Sequence, residues 1–252
     1  MVTIFGGVLG ALIGSFLNVC IFRLPKDESV VRPPSHCPKC GTPIKWYDNI
    51  PILSWLALRA KCRTCGNPIS IQYPLVELAN ALIWAWMFWS HPGQLEALRG
   101  ALFGTLLLGI AMTDAREYLI PDEFSLGGLG AGLVLSLPGG FDDISRAIVG
   151  AVVGFVVLWS VGAVGKWLFK EDAMGGGDIK MMAMVGAFVG WQGVLLTIFL
   201  GALLGTLIFV PLALVKRKKL VPFGVFLALG AAATYVAGPE VIEWYRHMVT
   251  AA

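Results

Sequence analysis

Charge is scarce in this sequence: Asp, Glu, Lys and Arg make up 14% of its 252 residues, where a water-soluble domain carries about 25%. Too few polar groups remain to cover a water-facing surface. With 57% hydrophobic residues and a mean hydropathy of +0.76, the chain falls in the membrane class. Histidine is scarce too. The 3 present, His36, His91 and His247, form no H-E-x-x-H pair, so a metalloprotease of that type is excluded. Gly14-Ser15 has no span histidine to act as its base, which removes a serine protease of the usual kind. A P-loop, a dinucleotide fingerprint and low-complexity tracts are all missing. No basic n-region precedes the first apolar run and no small-residue cleavage site follows it. That run is therefore expected to be a membrane span rather than a cleaved leader.

What is present is long apolar runs. A spanning helix needs about 20 mostly apolar residues, and candidate segments fall at 2–22, 74–91, 96–114, 123–138, 145–169, 179–191, 193–215 and 221–238. The expected fold is an all-α polytopic membrane protein of about eight helices. Its parts are a first span (1–22), a small polar domain (23–72) and a helical core (73–252). Basic residues set the orientation. With the N-terminus outside, all but Arg99, Arg146 and Arg246 of the 19 basic residues fall on one side. That side, the cytoplasm, then holds 23–72, the loop after Asp114, the Gly-rich loop 171–178 and the K-R-K-K run 216–219. Between two spans such a run reads as a topological signal rather than a nucleic-acid patch.

The polar domain contains a repeat, C-P-K-C-G-T-P-I (37–44) against C-R-T-C-G-N-P-I (62–69). Cys-x-x-Cys turns place two thiolates on one metal at about 2.3 Å, and the glycine after each permits a backward turn. In the cytoplasm, metal binding is a better reading than a disulfide. A redox dithiol or unligated thiols are the alternatives. Cys37, Cys40, Cys62 and Cys65 are the expected ligands of a structural zinc in a zinc-ribbon-like domain, because four sulfurs leave no open position for chemistry. His36 reads as a surface residue, and Cys20, in an apolar run, as a small hydrophobe.

Ionisable residues at spans raise a functional question. Asp114 ends one apolar run and Asp178 begins another, both at the same membrane face in this topology. Two carboxyls a few Å apart share a proton. One activates water and the other protonates or hydrogen-bonds a peptide carbonyl, which is aspartic proteolysis. Gly175, Gly176 and Gly177 would let a substrate backbone approach Asp178. At a helix N-terminus, Asp178 is expected to be the more anionic partner. The bland alternative is a pair of helix-end carboxylates, with Asp178 an N-cap. A different class, a proton-carrying transporter or assembly scaffold, would show broken helices near mid-membrane.

Taken together, these residues resemble the bacterial type IV prepilin peptidase family, one with a G-x-G-D motif similar to that of presenilin-type proteases. The resemblance runs through G-S-F-L-N-V-C-I-F-R-L-P (14–25), both cysteine turns, N-I-P-I-L-S-W-L (49–56) and Y-P-L-V-E (73–77). It continues through D-A-R-E-Y-L-I-P-D (114–122), Gly175, Gly177 and Asp178, and P-F-G (222–224). It implies Asp114 and Asp178 as catalytic residues, with Asp122 and Glu77 at family positions as substrate-binding or active-site support, for which helix-end packing or capping is the bland and favoured reading. It further implies cleavage of basic leaders from prepilin and pseudopilin precursors at the cytoplasmic face of the bacterial inner membrane. Those substrates would serve type IV pili, type II protein secretion or DNA uptake. Methylation of the new N-terminus by S-adenosylmethionine is implied by the resemblance alone. The expected partners are these precursors and the lipid bilayer, with no nucleic acid.

Overall fold

A computed structural model describes residues 1–170, 174–216 and 222–250, and the side chains of these outside 209–216. The K-R-K-K run beyond Lys216 and the first part of the Gly-rich loop lie outside the described residues. The fold is helical: α1 (Val2–Arg23), α2 (Leu53–Ala57), α3 (Gln72–Ser90), α4 (Gln94–Glu117), α5 (Asp122–Ser136), α6 (Gly140–Phe169), α7 (Gly176–Lys216) and α8 (Phe223–Thr250). Each expected apolar segment falls on a helix to within a few residues, and 179–191 and 193–215 share α7, which is broken at Gly190 (φ 73°). By length and composition, five helical stretches among the described residues can cross a membrane. One of them, Asp122–Phe169, contains both α5 and α6. The chain forms two compact units, Met1–Gly109 and Ile110–Ala252.

In the first unit α1 packs against α3 through a glycine stripe. Gly6, Gly10 and Gly14 recur every fourth residue and so line one face of the helix. A Cβ on Gly10 would lie 2.6 Å from Trp84 Cβ, one on Gly14 2.9 Å from Glu77 Cα, and one on Gly6 2.9 Å from Phe88 Cδ2. Between apolar helices in lipid, such close backbone approach supplies the dispersion contact that the hydrophobic effect no longer provides. Polar groups beneath the stripe are satisfied locally. Asn80 Nδ2 donates to Gly10 O at 2.7 Å, the Thr105 hydroxyl to Asn80 Oδ1 at 2.8 Å, and Trp84 Nε1 to Thr105 Oγ1 at 2.9 Å.

The second unit is organised around α7, which packs against α5, α6 and α8. Its seam with α6 is again backbone on backbone: a Cβ on Gly150 would run into Gly186 O, and one on Gly154 into Met182 O. Ala147, Ala151 and Ala187 fill the space beside it. Along the α7–α8 seam, a Cβ on Gly230 would meet Thr197 O at 2.7 Å.

Candidate active site and metal centre

The cysteine segment belongs to the first unit and forms two matching turns. Gly41 N–H donates to Cys37 O at 2.9 Å and Gly66 N–H to Cys62 O at 3.0 Å; Cys37 N–H donates to Thr42 O at 3.0 Å and Cys62 N–H to Asn67 O at 2.8 Å. Gly41 (φ 70°) and Gly66 (φ 68°) take the left-handed conformation at equivalent places, which a Cβ would oppose. Single bridges, His36 with Pro43 and Lys61 with Pro68, close each turn. Among the described residues there is no extended ribbon, so the turns are held by knuckles rather than by the strands that a ribbon would supply.

The four Sγ atoms lie within 4.8 Å of one another. Two ligands of a tetrahedral site with metal–sulfur bonds of about 2.3 Å stand about 3.8 Å apart, and Cys37 Sγ and Cys65 Sγ are 3.8 Å apart. The Thr42 hydroxyl and N–H draw the Cys40 thiol down to about 6. At Cys65 the Asn67 N–H opposes a rise that desolvation and the neighbouring sulfurs carry up to about 11. Cys40 and Cys65 thus hold their protons unequally, and a cation replaces such protons when thiolates bind it. This cluster could bind a metal ion. His36 is exposed, with Nδ1 3.1 Å from Pro34 O, and stands outside the sulfur set.

Glu77 also belongs to the first unit. Its carboxylate is buried and accepts the Ile52 N–H at 2.7 Å. Ile52 is itself left-handed (φ 62°), a conformation that a β-branched residue holds only under constraint. Asn18 Nδ2 donates to Tyr73 O at 3.1 Å, and Phe22 stacks on Tyr73 with ring centroids 5.2 Å apart. Three stretches that carry the family resemblance, 14–25, 49–56 and 73–77, therefore meet in one place.

Asp114 and Asp178 are brought together in the second unit, within electrostatic range of each other. Asp114 lies in the last turns of α4 and is 6% exposed. Past it, Tyr118 turns left-handed (φ 54°) and its N–H returns to Asp114 O at 3.0 Å. The chain then reverses through Leu119, Ile120 and Pro121 into α5. Asp178 is the third residue of α7. Ile120 packs between the two neighbourhoods: a Cβ on Gly177 would lie 3.0 Å from Ile120 Cβ, and one on Gly224 2.8 Å from Ile120 Cδ1.

The three glycines divide in role. Gly177 is closed off by Ile120, and a Cβ on Gly175 would come 2.9 Å from Asp178 Oδ2, while beside Gly176 nothing among the described residues lies within 4 Å. Only Gly176 leaves the open approach that the sequence suggested for all three. Asp122 opens α5, where its charge suits the helix dipole, and both its oxygens accept from Lys180 Nζ, at 2.7 and 2.8 Å. That pair ties the start of α5 to the turn of α7 that bears Asp178. Two further contacts were not read from the sequence. Ile120 was one letter within a quoted motif, and the Val225 N–H, which donates to Asp114 Oδ2 at 3.0 Å, has no side-chain signal at all. The nearest hint was the P-F-G triplet at 222–224.

Comparison with known proteins agrees with this layout. Residues 8–91 match the bacterial peptidase A24 N-terminal domain, and residues 101–210 match the type IV leader peptidase family. A protein of Aeromonas hydrophila named prepilin leader peptidase/N-methyltransferase is 36% identical over 93% of this chain and 90% of its own length. A Neisseria gonorrhoeae protein of the same name is 34% identical over 94% of this chain and 92% of its own. A Myxococcus xanthus protein, also so named, is 43% identical over 80% of this chain, which spans 58% of that relative. No solved structure matches. With relatives matched along nearly their whole length, the chain belongs to the type IV leader peptidase family.

Proposed function

We propose that this chain is an intramembrane aspartic endopeptidase that removes the leader from prepilins and pseudopilins, with Asp114 and Asp178 as its catalytic pair. The observation that carries the reading is the convergence of these two carboxyls, from helices 64 residues apart in sequence, at one end of α4 and α7. One carboxylate takes a proton from water as it attacks the scissile carbonyl, while the other gives its proton to the carbonyl oxygen. The first then passes the proton taken from water to the leaving amine, and the collapsing gem-diol returns a proton to the second. Gly176 leaves room for the substrate backbone beside Asp178. The distribution of basic residues supports placing this end, and the cysteine segment, on the cytoplasmic side of the inner membrane.

The sulfur cluster fits zinc in a closed four-thiolate site, which would stabilise the cysteine segment without entering the reaction. The relatives' names extend the reading to N-methylation of the new N-terminus, for which S-adenosylmethionine supplies an electrophilic methyl group when bound. A cavity of about 290 Å³ in the first unit is lined by Ser15, Arg23, Ser35 and Asn49, with Val30 and Val31 among its apolar walls. Arg23 would hold a donor carboxylate there, and the volume sits at the lower edge of ligand-sized pockets.

Mass spectrometry of a prepilin incubated with the purified protein and labelled S-adenosylmethionine tests both steps. Loss of the leader mass reports cleavage, and gain of one methyl reports transfer. Asp114→Asn and Asp178→Asn are each expected to lower cleavage by at least about 10³-fold with membrane insertion intact. Processing by either variant at the normal rate would refute the pair.

A further inference from the structure

The first N–H groups of any helix lack partners within it and are commonly met by a capping side chain just upstream. At the start of α8 the cap comes from elsewhere. Val225 N–H donates to Asp114 Oδ2 at 3.0 Å, across 111 residues of sequence. The residue before it is glycine, and a Cβ at 224 would crowd this contact, standing 2.9 Å from Asp114 Oδ2, 3.1 Å from Asp114 Cγ and 2.8 Å from Ile120 Cδ1. A side chain there would displace the Asp114 carboxylate and Ile120 from their places at the helix start.

Asp178 is placed differently. Its Oδ1 is buried and has no hydrogen-bond partner among the described residues, while Oδ2 lies on the Gly175 side. A carboxylate oxygen facing a helix N-terminus carries charge at low cost. A buried oxygen with no donor holds charge at high cost and is better served by a proton. The charged groups nearest the pair along these elements are Lys180 on α7, bound to Asp122 of α5 at 2.7 Å, Glu123 on α5, Arg116 and Glu117 on α4, and Lys166 in the last turn of α6, which packs on α7. Glu96 and Arg99 begin α4, Lys216 ends α7, and α8 carries no charge before Glu240.

We infer that the first turn of α8, through Gly224 and the Val225 N–H, positions Asp114 as the water-activating member of the pair and leaves Asp178 to carry the proton. This rests on the aspartate pair being catalytic, and it reverses the order expected from sequence. The helix N-terminus that matters is that of α8, reached by Asp114. Asp178 sits within the first turn of its own helix and leaves Oδ1 without a donor. Gly224 and Val225 are positioning residues, since neither touches the reacting atoms.

Two variants test the assignment. Gly224→Ala should lower kcat for prepilin cleavage by about 30-fold or more, with KM within about twofold, because the site for the substrate is untouched. The second variant deletes only the donor: Val225 is replaced by its α-hydroxy analogue through nonsense suppression, giving an ester in place of the amide. Without that N–H the Asp114 carboxylate is harder to keep ionised. The acidic limb of the kcat/KM profile should therefore move to higher pH by about one unit. An acidic limb in its wild-type place overturns the inference, whether or not kcat falls, and so does a Gly224→Ala effect confined to KM. Should Gly224→Ala fail to insert, the ester decides alone. The Asp→Asn variants separate the two levels: if both are inactive while the ester enzyme keeps its profile, this inference fails and the catalytic pair stands.

Discussion

In the cysteine segment, two short turns with nearly the same sequence each bring two sulfurs to one point, and each turn contains its own glycine, its own bridge and its own closing hydrogen bonds. The aspartate cluster has no such local unit. Asp114 depends on a left-handed Tyr118, on Ile120 beyond it and on the start of a helix 111 residues away. The first arrangement is written in eight consecutive letters, twice. The second exists only when four stretches of chain have packed. A site of the first kind is lost by changing its ligands, and a site of the second kind by shifting any helix that contributes to it.

Changes can be aimed at one half of this contrast. The largest effect is expected from Cys37→Ser with Cys62→Ser. A structural zinc contributes on the order of 10 kcal/mol to the fold of a small metal domain, so bound zinc should fall from about one per chain to below a tenth, measured by elemental analysis. Methyl transfer should vanish with it, while cleavage stays within about fivefold. Cleavage falling as far as in Asp114→Asn would erase the separation. An intermediate effect is expected from Gly186→Val. It drives a side chain into Gly150 O on the α6–α7 seam, an overpacking worth about 1–3 kcal/mol or more. Thermal stability in detergent and cleavage should both drop with zinc content unchanged. The smallest is Arg59→Gly. Arg59 and Ala60 precede the second knuckle in left-handed conformations (φ 52° and 57°), and relief of one should raise the melting temperature by the equivalent of about 1 kcal/mol. A lower melting temperature would show that the Arg59 side chain contributes more than its backbone costs.

Legibility in the sequence followed the same divide. The cysteine cluster could be read because its sulfurs, spacing and glycines repeat within eight letters. The helices could be read because apolar runs mark them. Where their ends were missed, polar residues extended a helix past its apolar run. α8 continues through Pro239 to Thr250 although its apolar stretch stops near 238, and α6 begins at Gly140, ahead of Asp142 and Asp143, whose charges suit a helix N-terminus. The two aspartates were visible as ionisable residues at span ends. Their partners were not, because a backbone N–H such as that of Val225 belongs to every residue type. Glu77 shows the reverse. Its place in a shared motif suggested a supporting role, and its carboxylate accepts the N–H of Ile52 from a second quoted motif, a pairing that neither motif reveals when read alone.

The seam between α6 and α7 carries a consequence for how a substrate helix gets in. Gly150 meets Gly186 and Gly154 meets Met182 with backbone against backbone, so the two helices interlock like the teeth of a rack. Sliding either by one residue would present a side chain where only a hydrogen fits. Such a joint favours one register. Parting these helices would forfeit that close backbone contact, so for the proposed pair the easier approach for an incoming helix lies along a boundary that glycine does not lock.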